Sequence, residues 1–313
     1  MSATRFRITE VGPRDGLQNE PDILSIDAKV AFIDSLSQAG FPEIEATSFV
    51  SPARLPQLAD GDEVMRRIRR SPGTIYSALV PNMQGLDRAL AADVDKIAVF
   101  TAASESFARR NINATIAESV ERFRPLVALA RAAGRPVRAY VSCAIACPFE
   151  GPIAPRNVAA VSRMLMDIGA DEIDLGDTIG VAVPRDIERL LEAHDGVVPL
   201  AQTTMHLHDT RGTGLVCAWR AMELGITSFD ASCGGLGGCP FAPGARGNVA
   251  TEELIYAFEG SELAMGVGLA AVLSAGRVIE AALGRPLSSR LMAAGVAVPR
   301  GSVPDATGRA ASE

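Results

Sequence analysis

Short apolar runs rich in β-branched residues alternate along the chain with longer stretches whose apolar positions recur every three or four residues. The first pattern fits a strand, whose side chains alternate between two faces. The second fits a helix with one apolar face. Eight runs read as strands: Arg5–Val11, Glu43–Phe49, Thr74–Val80, Asp95–Thr101, Val137–Cys143, Glu172–Gly176, Thr203–His208 and Ser228–Ser232. Helical periodicity follows over Asp27–Ala39, Gln84–Ala92, Thr115–Ala133, Pro155–Ile168, Pro184–His194, Gly214–Leu224 and Thr251–Glu259, with one further helical stretch at Leu269–Leu283. Pro155 and Pro184 suit the first turn of a helix, and Glu252 and Glu253 follow Thr251 where the helix dipole favours acids. Gly40, Gly134, Gly169 and Gly225 stand where helices should stop.

Eight strand–helix units predict parallel strands joined by helical crossovers, and eight is the number that closes a (β/α)8 TIM barrel. The expectation is therefore an α/β barrel over residues 1–300 as a single domain, with an extra C-terminal helical segment. Residues 301–313, rich in Gly, Ser, Pro and Ala, read as a disordered tail. A doubly wound open sheet would carry a glycine-rich phosphate turn after the first strand. The turn there is Gly12-Pro-Arg-Asp-Gly16, which is not that fingerprint.

Composition narrows the class of partner. The 313 residues are 48% hydrophobic and carry 30 basic against 37 acidic side chains, a net charge of −7. A polyanionic nucleic acid is disfavoured. No apolar run approaches the roughly 18–20 residues of a membrane helix, so no membrane partner is expected. The N-terminus lacks the apolar stretch of a secretory signal. Five scattered cysteines in a chain this long point to reduced thiols and a cytoplasmic location rather than a disulfide framework.

The polar residues then gather. Arg14 and Asp15 follow strand one, Glu45 lies in strand two, and Arg138 and Tyr140 lie in strand five. Asp177 follows strand six, His206 and His208 end strand seven, and Cys239 and Asn248 lie in the loop after strand eight. In a barrel those strand ends share one face. His206 and His208, two apart on a strand, point to the same side and can bind one metal ion together. Asp209 reads as a turn or helix-cap residue. Asp15 could add a carboxylate and Asn248 an amide oxygen. Such a mixed set suits Mg²⁺ or Mn²⁺, with Zn²⁺ or Co²⁺ able to compete. The same inventory also fits the two-His, one-carboxylate iron site of an oxygenase.

Five glycines between Gly234 and Arg246 predict a mobile loop, with Cys239 as a proton donor or nucleophile on it. Glu45 shares a strand face with Glu43 and Thr47, and inside a barrel it needs a partner such as Arg14 or Arg138. Asp177 reads equally as a supporting group or a turn residue. Arg109 and Arg110, with Asn111, could hold phosphates at the barrel mouth or merely begin a solvated helix. Arg66, Arg67, Arg69 and Arg70 read as a solvated helix face. Cys143, Cys147, Cys217 and Cys233 read as structural.

The motifs Glu10-Val-Gly-Pro-Arg-Asp-Gly-Leu-Gln-Asn-Glu20, His206-Leu-His208-Asp-Thr and Gly234-Gly-Leu-Gly-Gly-Cys-Pro240 resemble those of the hydroxymethylglutaryl-CoA lyase family. So do Ala46–Pro52, Arg110–Asn113, Tyr140–Cys143 and Gly176–Gly180, and the resemblance runs from Phe6 to Leu283. It implies a metal-dependent TIM barrel related to isopropylmalate and homocitrate synthases, acting as a homodimer on an acyl-CoA. It implies metal ligands at Asp15, His206, His208 and Asn248, with Arg14 at the thioester carbonyl and Cys239 as the acid. Glu45, Asp177, Asp15 and His206 would be catalytic, and Gln18, Asn111 and Arg138 would join Arg14 in binding substrate. The implied reaction cleaves 3-hydroxy-3-methylglutaryl-CoA to acetoacetate and acetyl-CoA.

The chain departs from the family pattern at Arg211 and Cys217, where an aromatic and an asparagine are expected, and at Pro243 and Arg246. These changes leave room for a related 3-hydroxyacyl-CoA such as citramalyl-CoA. A condensing synthase, which often carries an extra C-terminal regulatory region, is less expected. A non-catalytic metal-stabilised binding protein would not require a thiol on a glycine loop.

Overall fold

All eight apolar runs become strands, because each is buried on both faces between the barrel interior and a layer of helices. A computed structural model of the chain describes residues 6–238, 247–261 and 263–295. The strands are β1 Arg7–Glu10, β2 Glu43–Ser48, β3 Ile75–Leu79, β4 Lys96–Ala102 and β5 Val137–Ser142. A short hairpin follows, β6 Ala146–Cys147 and β7 Gly151–Pro152, and then β8 Glu172–Asp177, β9 Thr203–Leu207 and β10 Ser228–Ala231. The eight longer strands run parallel, each beside its predecessor, and Arg7 pairs with Ser228 to close the barrel.

The expected helices are present: α1 Ile26–Ser37, α3 Met83–Ala91, α5 Ile116–Ala132, α6 Pro155–Asp167, α7 Pro184–His194, α8 Gly214–Glu223, α9 Thr251–Glu259 and α10 Leu269–Leu283. Both Pro155 and Pro184 open their helices. After α6 and α8 the chain turns back through Gly169 (φ +102°) and Gly225 (φ +103°), a left-handed conformation that favours glycine. Three short helices had no counterpart in the periodicity: α2 Gly61–Arg67, α4 Glu105–Ile112 and α11 Arg290–Ala294. One or two turns show too few apolar repeats to stand out. The arginines around α2 are not simply solvated: Arg66 pairs with Glu63, Arg67 with Asp27, Arg69 with Asp34, and Arg70 with Asp95.

The apolar core lies between barrel and helices, with Phe32, Ile33 and Leu36 of α1 and Ile279 of α10 fully buried. The barrel interior is ionic instead. Arg138, only 1% exposed, pairs with Glu172, donates Nη1–H to Asp230 at 2.9 Å and Nη2–H to Thr9 at 2.8 Å. Lys96 Nζ bonds Glu43 at 2.9 Å and Glu172 at 2.5 Å. Buried charges persist when each meets an opposite charge and further hydrogen bonds. This ionic plug forms the floor on which the site stands. Residues 301–313 lie outside the described residues.

Candidate active site

After β1 the chain makes one wide helical turn, Gly12–Gly16, in which the N–H groups of Arg14, Asp15 and Gly16 all reach the carbonyl of Val11. The turn needs its glycines. A Cβ on Gly12 would lie 2.6 Å from Glu10 Oε1, and one on Gly16 would lie 2.8 Å from Leu236 Cβ. The result lifts Arg14 and Asp15 onto the C-terminal face of the barrel.

Arg14 donates Nε–H to Glu45 Oε2 at 2.6 Å and Nη1–H to Asp15 Oδ1 at 2.5 Å, and its guanidinium lies 5.3 Å from the centre of the Tyr140 ring. Tyr140 Oη sits 3.1 Å from Glu45 Oε2 and 3.2 Å from Asp230 Oδ2. Asp230 Oδ2 is in turn 3.1 Å from His206 Nδ1. That carboxylate holds the ring nitrogen's proton and leaves Nε2 as the free lone pair. His206 Nε2 and His208 Nε2 are 3.3 Å apart, and His206 Nε2 lies 3.9 Å from Asp15 Oδ2.

The donor set fits a divalent cation. Ligand atoms of Asp15, His206 and His208 fall within 4.8 Å of one another. Asn248, bridged to His208 as a neighbouring strand residue, donates Nδ2–H to Asp15 Oδ2 at 2.9 Å and to the Leu236 carbonyl at 3.0 Å. Its Oδ1 is buried with no hydrogen-bond partner, as is His208 Nδ1. A buried polar atom left unpaired is costly unless another ligand completes it, and an amide oxygen beside a carboxylate and two imidazoles suits a hard or borderline cation.

The protonation states agree with ligation. Burial opposes charge on Asp15, but Arg14 and the two histidines outweigh it and hold the carboxyl well below its usual range. Burial and the neighbouring His206 push His208 down to about 4. His206 is also disfavoured by burial, yet its bond to Asp230 raises it above the ordinary histidine value. Asp230 itself is lowered to about 2, Arg138 outweighing burial.

A cavity of about 340 Å³ opens over these groups, lined by Arg14, Asp15, Gln18, Asn111, Tyr140, His206 and His208 among others. Most of the expected site residues thus meet. Others do not. Glu45 is 1% exposed and reaches the cavity through Arg14 rather than lining it. Arg138, expected to bind substrate, is spent in the ionic plug below. Asp177, expected to be catalytic, accepts the backbone N–H groups of Val181 and Ala182 and holds that turn, although its neighbours Gly176 and Thr178 line the cavity.

Asp209 caps the start of α8 through the Gly214 N–H and pairs with Arg290. Arg211 donates to the carbonyls of Ile179 and Gly180 instead of entering the cavity. Arg110 stacks on Phe149 at 4.2 Å and Arg109 approaches Glu105, so neither lines the cavity. Cys217 is buried with its thiol on the Ala182 carbonyl. Cys239, Pro243 and Arg246 lie outside the described residues. Sequence reasoning missed Asp230. Its signal was a lone carboxylate within the apolar run of strand eight, in register with His206.

A closed parallel barrel whose rim gathers a carboxylate, two imidazoles and an amide beside a buried arginine defines a metal-dependent TIM-barrel enzyme. The chain belongs to the HMGL-like family, whose pattern matches residues 5–279. It is 48% identical over 287 residues to the mitochondrial hydroxymethylglutaryl-CoA lyase of Pongo abelii, covering 92% of this chain and 88% of the relative. A cytoplasmic 3-hydroxy-3-methylglutaryl-CoA lyase from Mus musculus is 49% identical over 285 residues, 91% of this chain and 83% of the relative.

The crystal structure of hydroxymethylglutaryl-CoA lyase from Pseudomonas aeruginosa superposes with a TM-score of 0.91 at 46% identity, covering 93% and 97% of the two chains. A lyase from Acinetobacter baumannii, solved with coenzyme A and 3-methylmalate, gives 0.91 at 37% identity over 97% and 99%.

Proposed function

We propose that the chain is a carbon–carbon lyase that cleaves 3-hydroxy-3-methylglutaryl-CoA to acetoacetate and acetyl-CoA. The observation that carries this is the meeting of Asp15, His206, His208 and the unpaired Asn248 Oδ1 beside Arg14, in a chain of this family. A divalent cation, Mg²⁺ or Mn²⁺, held by these four residues would lower the pKa of the substrate's tertiary hydroxyl.

Arg14 is buried, charged and fixed by Glu45, Asp15 and the Tyr140 face. It would meet the thioester oxygen as that atom gains negative charge on breaking of the carbon–carbon bond, and a preorganised cation there stabilises the enolate. Of the two groups at the cavity within reach of the hydroxyl proton, His206 would spend its Nε2 lone pair on the cation while Asp230 holds its Nδ1–H, whereas Asp15 keeps a second carboxylate oxygen, so we assign the proton to Asp15. The bonding electrons pass to the α-carbon of the leaving acetyl-CoA enolate, and Cys239 returns a proton to that carbon. Gln18 and Asn111 line the cavity and bind the substrate.

No helix among the described residues is long and apolar enough to cross a membrane. Cys143, Cys147, Cys217 and Cys233 are free and buried, which suits a reducing cytoplasm. The working form we propose is a cytoplasmic homodimer.

Incubation with 3-hydroxy-3-methylglutaryl-CoA and Mg²⁺ yields acetoacetate and acetyl-CoA in equal amounts on this account. Turnover of citramalyl-CoA with the first substrate left intact would assign a different acyl group. Cys239→Ala lowers turnover by roughly two to four orders of magnitude while metal binding is retained. Unchanged turnover removes Cys239 from the mechanism.

A further inference from the structure

The turn that follows β8 is tied to the loop that follows β9. It leaves the strand beside the cavity, where Gly176 and Thr178 line the wall together with His206 and His208. Asp177 accepts the N–H groups of Val181 at 3.2 Å and Ala182 at 2.9 Å. Thr178 Oγ1 accepts the N–H of Cys143 at 2.8 Å, and the Cys217 thiol donates to the Ala182 carbonyl at 3.3 Å. Gly180 (φ +57°) lies so close to the neighbouring loop that a Cβ there would stand 2.5 Å from Thr210 Oγ1 and 3.0 Å from the Thr210 nitrogen.

The carbonyls of Ile179 and Gly180 go to Arg211, whose Nη1–H group donates to them at 2.7 Å and 3.1 Å. Arg211 follows Thr210 directly, three residues beyond His208, and is itself exposed. Hydrogen bonds so near solvent add little to the stability of a fold, because water replaces them when they are lost. Water does not replace the geometry. A planar, permanently charged guanidinium across two successive carbonyls fixes the turn against the loop that carries His208. The aromatic side chain that the family resemblance leads one to expect at position 211 has no such cationic fork.

We propose that Arg211 is a positioning residue for substrate binding. It pins the 178–182 turn and thereby fixes the stretch of cavity wall that Thr178 presents beside the two histidines. The proposal rests on the lyase reading above for its substrate. Arg211 acts through the turn and not on the reacting groups, which have ties of their own. Glu45 fixes Arg14, Asp230 fixes His206, and the Asp209 N–H next to His208 bonds the Gly247 carbonyl at 2.6 Å. Loss of Arg211 therefore removes binding common to the ground and transition states, which raises KM and spares kcat.

Steady-state kinetics on the full-length protein with 3-hydroxy-3-methylglutaryl-CoA and Mg²⁺ test this. Arg211→Ala raises KM about fivefold and leaves kcat within about twofold of wild type. Arg211→Lys, which keeps a cationic donor near the two carbonyls, recovers most of that loss. The Mn²⁺ affinity of the metal-free protein and the melting temperature stay at their wild-type values. Hydrogen–deuterium exchange reads the same event without turnover: amides of the 178–183 stretch exchange faster in Arg211→Ala, and those of β9 do not.

Equal KM in wild type and Arg211→Ala overturns the proposal. So does a fall in kcat, metal affinity or melting temperature in place of the KM shift, and so does a lysine variant no better than alanine. If exchange over 178–183 rises in Arg211→Ala while the wild-type protein leaves 3-hydroxy-3-methylglutaryl-CoA uncleaved, the lyase reading fails and the pinning of the turn stands.

Discussion

One phenolic hydroxyl joins the two working halves of the site. Tyr140 Oη lies between Glu45, which fixes Arg14, and Asp230, which fixes His206. Tyr140→Phe keeps the ring under Arg14 and removes this link. We expect kcat to fall about tenfold, the loss of roughly one good hydrogen bond, with the melting temperature little changed. Steady-state kinetics beside thermal unfolding separate the two effects. Asp230→Asn alters what steers the His206 ring, and metal affinity should fall roughly 10- to 100-fold, read by titration of Mn²⁺ into the metal-free protein. Full metal affinity in that variant would mean that Asp230 does not orient the ligand.

The gathering of Asp15, His206 and His208 was legible in the sequence, since a pair of histidines two apart at a strand end points to one side of the barrel mouth. Their supports were not. Asp230 and Asp177 are both carboxylates at strand ends, and only the direction of the side chain separates the one that braces a ligand from the one that holds a turn.

At the scale of elements, the site is made by how segments are tied at their ends. Glu10, last residue of β1, accepts N–H groups from Gly12 and Cys233 at 2.8 Å each and the Thr251 hydroxyl at 2.7 Å. It thereby joins the Arg14–Asp15 turn, the segment leaving β10 and the first turn of α9. No cation among the described residues balances it, and burial pushes its carboxyl up to about 8 against those three donors.

A carboxyl whose folded-state pKa exceeds its unfolded value binds more protons when folded. Its contribution to stability is full below the unfolded value near 4.5 and is lost as pH rises through about 8. Wild-type stability should therefore fall by roughly 1 kcal/mol per pH unit between pH 5 and 8 relative to Glu10→Gln, measured by urea unfolding. Parallel pH curves for the two proteins would contradict this. The strands and long helices that these ties connect were legible from periodicity, because each buries a regular face. The ties themselves were not, because a carboxylate's partners more than 200 residues away leave no local pattern.

At the scale of the whole molecule, barrel closure brings Asp15 and Asn248 together and builds the ionic plug beneath them. Arg138 shows where sequence reasoning met its limit. Its placement in strand five was read correctly, but not the level of the barrel at which it points, and the structure seats it among Glu172, Asp230 and Glu43. Arg138→Met leaves these carboxylates without their common cation. It should destabilise the fold by about 3–5 kcal/mol, the size expected when one partner of a buried ionic cluster is removed.

If Asp15, His206, His208 and Asn248 together bind one cation that the cleavage requires, activity must follow the metal mole for mole. Stripping the protein of metal and adding Mn²⁺ back in sub-stoichiometric steps, with acetoacetate release from 3-hydroxy-3-methylglutaryl-CoA followed at each step, tests it most directly. The predicted result is no product from the metal-free protein and a linear gain that saturates near one Mn²⁺ per chain, abolished in His208→Ala. Full acetoacetate release from metal-free protein, or undiminished binding and turnover in His208→Ala, would contradict it.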